Sequence, residues 1–183
     1  AVVVAMRSPD MNYGFECKHA SLLEPQGLAL ITIGNTLRGD DGIAAHLCDT
    51  LSQNDLKDVC RFDLGTYTSY LATCLAGHRA AIIIDATNNG TEPGTVSILD
   101  LNALLDRTSP LSIKCCHGFS IADELRLVKR QGRLPKRIIF FGVEVDSVEY
   151  DTTLSAPIKS TLAHLNNNLS VLVSQVLSTL KRE

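Results

Sequence analysis

The sequence predicts an α/β fold: a three-layer sandwich whose mainly parallel, twisted sheet of five or six strands carries helices on both faces. Three observations predict it. Apolar runs of strand length, above all Ala80 to Ile84, lack the polar alternation of a half-exposed strand, as expected where helices cover both faces of a sheet. Segments with apolar residues at helical spacing follow those runs in regular turn. The 183 residues, 45% hydrophobic and 20% charged, are enough for one domain with its own core.

Residues 1 to 26 hold no sustained period, mix Pro9, Gly14 and Pro25 with charges, and read as an amino-terminal extension before a single domain over residues 27–183. Leu28 to Ile33 is a buried strand that stops at Gly34-Asn35. After the turn, Ile43, Ala44, Leu47, Cys48 and Leu51 recur at helical spacing, with Asp40 and Asp41 at the entry. Val59 to Leu64 is the next strand, followed by a helix over Ser69 to Leu75. Ala80 to Ile84, ending at Asp85, is the strongest strand in the chain. A short strand is expected at Thr95 to Leu99, a helical turn at Leu101 to Leu105, and a further strand at Leu111 to Cys116 before His117-Gly118. Ile121 to Gln131 is a charged helix and Arg137 to Val145 another buried strand. From Ser155 as N-cap, Ile158, Leu162, Leu165, Leu169, Leu172, Val176 and Leu180 mark a long closing helix, with Asn166 to Asn168 as a candidate interruption.

Charge narrows the partners. Seventeen Lys and Arg against 20 Asp and Glu give a net charge of −3 and a pI near 5.9, without the basic excess that binds a phosphate backbone. No apolar stretch approaches the length that spans a bilayer, and the amino end lacks the pattern of a secretory signal, so a cytoplasmic protein is expected. The six cysteines are scattered without a C-x-x-C pair and are expected to be buried, reduced thiols.

Sites in open parallel sheets form beyond the carboxyl ends of the strands, where the loops converge. That rule selects Asp41 after the first strand, Asp85 at the end of the strand over 80–84, and His117 after the strand over 111–116. Two carboxylates and an imidazole suit a borderline divalent ion such as nickel, zinc, iron or manganese. Each has a plainer reading. Asp40 or Asp41 at a helix start is more often a cap, and a lone His117 is more often structural, while a carboxylate directly after five buried apolar residues, as at Asp85, is unusual. His19, His46, His78 and His164 have no convergent partners. A Cys116-His117 nucleophilic pair fails on geometry, because adjacent strand residues point to opposite faces. G-x-S-x-G, H-E-x-x-H and G-x-x-x-x-G-K-[ST] are all missing.

The segment Ile31 to Gly42, Ile-Thr-Ile-Gly-Asn-Thr-Leu-Arg-Gly-Asp-Asp-Gly, resembles the opening signature of the hydrogenase maturation endopeptidases. Asp63-Leu64-Gly65-Thr66, Ile-Ile-Ile-Asp-Ala at 82 to 86, Cys-His-Gly at 116 to 118, and Pro135 to Glu144 with Leu154-Ser155-Ala156-Pro157 follow in the family's order. The likeness covers residues 28 to 180. It departs from the family at Asp41, where many members have Glu, and at Leu64, which replaces a usual glycine.

The resemblance implies a protease, sometimes grouped with the aspartic type, that removes a carboxyl-terminal extension from the large-subunit precursor of a nickel-iron hydrogenase after nickel insertion. The metal-contacting positions would be Asp41, Asp85 and His117, with Asp63 as a further acid of the catalytic cleft. Nickel would arrive with the precursor, and no permanently bound cofactor is expected. Two other readings stay open: a metal-dependent aminopeptidase or amidohydrolase with its own ion, and a non-catalytic flavodoxin-like module binding a phosphate at the Gly34–Gly42 loop.

Overall fold

The computed structural model describes residues 15–16, 26–52, 54, 56–105 and 121–182. Their elements run in the order β1 (Phe15–Glu16), β2 (Gln26–Thr32), α1 (Ile43–Thr50), β3 (Val59–Asp63), α2 (Leu71–Leu75), β4 (His78–Thr87), β5 (Val96–Asp100), α3 (Leu101–Leu105), α4 (Ile121–Arg130), β6 (Arg137–Glu144) and α5 (Ala156–Leu180). Short 3-10 turns at Gly39–Gly42 and Thr68–Tyr70 lead into α1 and α2.

The strands form one sheet in the order β1-β3-β2-β4-β6-β5. Its four inner strands are mutually parallel, with Leu30 beside Arg61 and Ile82, and Ile83 beside Phe140. Both edges are antiparallel, β1 against β3 and β5 against β6. The mainly parallel sandwich expected from the sequence is therefore the one observed, closed at each side by a strand running the other way. The expected strand over 111–116, and His117 after it, lie outside the described residues.

Pleat alternation divides the core in two. Leu28, Leu30, Ile82, Ile84, Phe141 and Val143 point to the layer of α1 and α5. Ala29, Ile31, Ala81, Ile83, Ile138 and Phe140 point to the layer of α2, α3 and α4. The inner strands are apolar on both faces because both faces are covered, which is why they read as unbroken runs.

Helix α5 is capped at Ser155, whose hydroxyl accepts the Ile158 amide at 3.4 Å, with Pro157 in the first turn. It is not broken at Asn166 to Asn168. Leu165, Leu169, Leu172 and Val173 keep its inner stripe buried, while Asn166 accepts the Thr50 hydroxyl at 2.6 Å and Asn168 meets His164. Among the described residues no helix is long and apolar enough to cross a membrane. Cys48 and Cys74 are buried free thiols, as expected, but Cys60 is disulfide-bonded. The expectation of reduced cysteines fails there because spacing along the chain does not reveal which cysteines folding brings together.

Candidate active site at the carboxyl edge of the sheet

Three backbone hydrogen bonds draw together the loops that leave β2, β3 and β4. The Ile33 amide donates to Ile84 O and the Gly34 amide to Gly65 O, each at 2.9 Å, and Leu64 donates to Thr32 O at 2.9 Å. Gly34 makes the first bend at φ +146°, and a Cβ at this position would collide with the Asp41 carbonyl oxygen. A glycine is thus required where the strand turns back over the 3-10 turn that carries the two aspartates.

Those aspartates do different work although both are fully buried. Asp40 is a strap. Its Oδ1 accepts the Ser155 amide at 2.6 Å, and its Oδ2 accepts those of Asp146 and Ser147 at 3.1 and 3.2 Å. It therefore ties the opening loop to the segment between β6 and α5, and both carboxylate oxygens are committed to backbone. Asp41 Oδ2 accepts the Asn35 amide at 3.0 Å, and Asn35 in turn accepts the Leu37 amide through its side chain. The 3-10 turn holding Asp41 packs against β4, the strand of Asp85.

Asp85 is also fully buried, and its Oδ1 accepts the Ala86 amide at 2.8 Å. It continues the alternation of Ala81 and Ile83, so it lies on the face covered by α2 and α4. Asp63 stands at the end of β3 beside Thr32, in the alternation of Val59, and so lies on the opposite face of the sheet. Its Oδ1 accepts the Thr32 hydroxyl at 3.1 Å and the Gly65 amide at 3.2 Å. All three acids thus end at one edge. His117 lies outside the described residues, and among those described no group of three or more His, Cys, Asp or Glu side chains is gathered around a common point that could hold a metal. The donors that are described, two buried carboxylates, suit a divalent cation in charge and hardness. Of the remaining histidines described, His46 and His164 are exposed on helices, and His78 sits at the far end of β4 against Phe62.

A residue that sequence reasoning did not single out dominates the next loop. Glu144, only 2% exposed at the end of β6, faces Thr87 across the sheet. Its Oε2 accepts the Thr87 hydroxyl at 2.9 Å, and its Oε1 accepts the amides of Asn89, Gly90 and Thr91 at 2.7, 2.7 and 3.1 Å. Burial pushes its carboxyl upward in pKa, but the Thr87 hydroxyl and the Gly90, Asn89 and Thr91 amides more than offset this and hold it below the usual carboxylate value. The signal was present in the sequence: an acid closing the apolar run Ile138 to Val143, the same pattern that marks Asp85.

Solved structures share this fold. The hydrogenase maturating endopeptidase HybD from E. coli superposes with a TM-score of 0.66 at 23% identity, covering 82% of this chain and 93% of that one. The [NiFe] hydrogenase maturation protease HybD from Thermococcus kodakarensis superposes with a TM-score of 0.61 at 22% identity, covering 81% and 99%. Among curated proteins, the hydrogenase expression/formation protein HoxM of Cupriavidus necator is 27% identical over 64% of this chain, and HupD of Rhizobium leguminosarum bv. viciae is 26% identical over 74%. The aligned stretch spans 58% of the HoxM length and 68% of the HupD length. The profile of the family described as "HycI: Hydrogenase maturation protease" matches residues 44–170, well over half of the chain, so this chain belongs to the hydrogenase maturation protease family.

Proposed function

We propose that this chain is an endopeptidase that removes the carboxyl-terminal extension of a nickel-iron hydrogenase large-subunit precursor once nickel is in place. One observation carries the reading beyond family membership: Asp41, in the turn before α1, and Asp85, on β4, are 44 positions apart in the sequence and are both fully buried at the same edge of the sheet. Carboxylates taken out of water at the end of a sheet where loops converge are the hard oxygen donors that a divalent cation carried by a substrate would meet.

In this reading nickel belongs to the substrate. Asp41, Asp85 and His117 contact it when the precursor docks, so that a precursor without nickel is held poorly and left uncut. The metal supplies charge that draws the carboxylates to the substrate and favours attack on a polarised carbonyl. The remaining work falls to the chain. Docking places the scissile peptide at the sheet edge, which converts an encounter with water into a positioned reaction. Hydrolysis adds the water oxygen to the carbonyl carbon and breaks the C–N bond. A proton from that water must leave and the departing nitrogen must gain one, and Asp63, half-buried at the same rim, is the proposed carrier. The aspartic-type grouping fits this only in the sense that carboxylates take part. The proposed setting is the cytoplasm, the proposed partner is the nickel-loaded precursor, and no resident cofactor is required.

The test is cleavage of a nickel-loaded precursor by Asp41→Asn, Asp85→Asn and His117→Ala, each checked for folding by circular dichroism. All three are expected to lose processing by at least about 100-fold, a barrier change of about 3 kcal/mol. Full processing by all three variants would remove these residues from the site.

A further inference from the structure

The connection between β4 and β5, residues 88–95, leaves the sheet at the candidate site, three positions after Asp85. It is fastened almost wholly to Glu144. Besides the five bonds to its carboxylate, the fifth from the Asn89 side-chain amide to Oε2 at 3.4 Å, the Gly94 amide donates to Glu144 O at 2.8 Å and the Glu144 amide donates to Thr95 O at 2.9 Å. The loop itself is exposed at Asn88, Asn89, Gly90, Thr91 and Glu92, and Gly90 takes φ +81° at its tip. A buried carboxylate is a costly way to stabilise a sheet, and an apolar side chain of similar size would serve that purpose as well. What an apolar side chain cannot do is gather three successive amides and so dictate the path of an exposed turn.

We infer that Glu144 is a positioning residue for substrate: it holds the Asn88–Glu92 turn in one shape, so that this turn forms a preset wall along which an extended polypeptide lies as it enters the site at Asp85. The inference rests on the endopeptidase reading above and deepens it, naming the feature that recognises the chain on either side of the cut. The exposed side chains of Asn88 and Thr91 offer both donors and acceptors, the chemistry that an extended peptide backbone presents in return. A turn that is already ordered does not have to be ordered at the expense of binding.

Two variants test it on the full chain with the precursor as substrate. Glu144→Gln keeps the shape of the side chain but replaces a charged acceptor with an amide; Asn88→Ala alters the exposed turn and leaves the anchor alone. Both are expected to raise KM by about fivefold or more while kcat stays within about twofold, because ground-state and transition-state binding are lost together. Hydrogen exchange at the amides of Asn89, Gly90 and Thr91 is expected to quicken by about tenfold or more in Glu144→Gln, as local opening becomes easier. Val176→Ala, in the α5 layer on the other face of the sheet, serves as a stability control and is expected to lower Tm without changing KM. Faster exchange in Glu144→Gln with an unchanged KM would overturn the proposal, as would a KM change shared with the Val176→Ala control. If the wild-type chain binds the precursor without cutting it, the endopeptidase reading fails, and the positioning role is then decided by whether the same two variants weaken that binding by a similar factor.

Discussion

Replacing Asp40 with alanine is predicted to cost the fold much of its stability, whereas replacing its neighbour Asp41 with asparagine is predicted to leave stability nearly unchanged and remove activity. Asp40 accepts three backbone amides, from Ser155 at 2.6 Å, Asp146 at 3.1 Å and Ser147 at 3.2 Å. A hydrogen bond to a charged acceptor contributes about 1.5–3 kcal/mol, which taken at face value gives about 4.5–9 kcal/mol for three. The donors lie in half-buried loops where water can replace part of what is lost, so the net cost is about 3–5 kcal/mol. In a domain of this size each kcal/mol shifts Tm by about 2–4 °C, so Asp40→Ala should melt about 6–20 °C below wild type. Asp41 accepts the Asn35 amide at 3.0 Å, and asparagine retains an oxygen for it. Asp41→Asn should therefore stay within about 1 kcal/mol, or about 2–4 °C, of wild type while losing activity. Thermal unfolding followed by circular dichroism, backed by urea titration, measures both. Equal destabilisation by the two variants, or an Asp40→Ala Tm within about 2 °C of wild type, would refute the division of labour between them.

Three further outcomes are expected. Gly34→Ala should destabilise strongly and abolish activity, because its Cβ would drive into the Asp41 carbonyl at a backbone angle side chains rarely adopt; a folded, active variant by circular dichroism and cleavage assay would contradict the bend described here. Burial lowers the His78 pKa below its ordinary 6.5, against a smaller opposing effect from the Cys74 and Ala76 backbone, so the unfolded chain binds its proton first. Stability should be flat above that value and fall as the pH drops through it toward the folded pKa, and His78→Phe should flatten this part of a urea-midpoint curve against pH. Burial raises the Cys48 thiol to about 11, partly opposed by Arg61, and the Cys74 thiol to about 12. Neither should react with iodoacetamide at neutral pH until the chain is denatured, and peptide mapping that finds either one modified in the folded protein would disprove this.

What the sequence revealed about the fold was whatever is set by local period. The run Ala80 to Ile84 announced β4, whose burial on both faces removes any alternation, and the three- and four-residue steps from Ile158 to Val176 announced α5. Asn166 to Asn168 looked like a break because asparagine is a poor helix former, but packing of Leu165 and Leu169 on either side outweighs that preference. The antiparallel edges were not legible, since strand direction depends on how distant segments meet. At the site, the strand-end rule selected Asp41, Asp85 and His117, and the family resemblance added Asp63, but neither could tell Asp40 from Asp41. The difference between them lies in amides more than a hundred positions away. Glu144 escaped for the same reason: its partners at Thr87 and Asn89 to Thr91 lie over fifty residues upstream.

The strap at Asp40 also sets an order of events during synthesis. Its three donors are made 106 to 115 residues after it, so a nascent chain must extend through Ser155 before the turn bearing Asp41 has its full support. Until then Asp40 and Asp41 sit on a turn whose fastening across so long a span is entropically unfavourable. A partly translated chain would therefore carry Asp41, Asp63 and Asp85 before the turn that holds Asp41 is fastened, so this edge of the sheet takes its final shape only once the segment through Ser155 has been made.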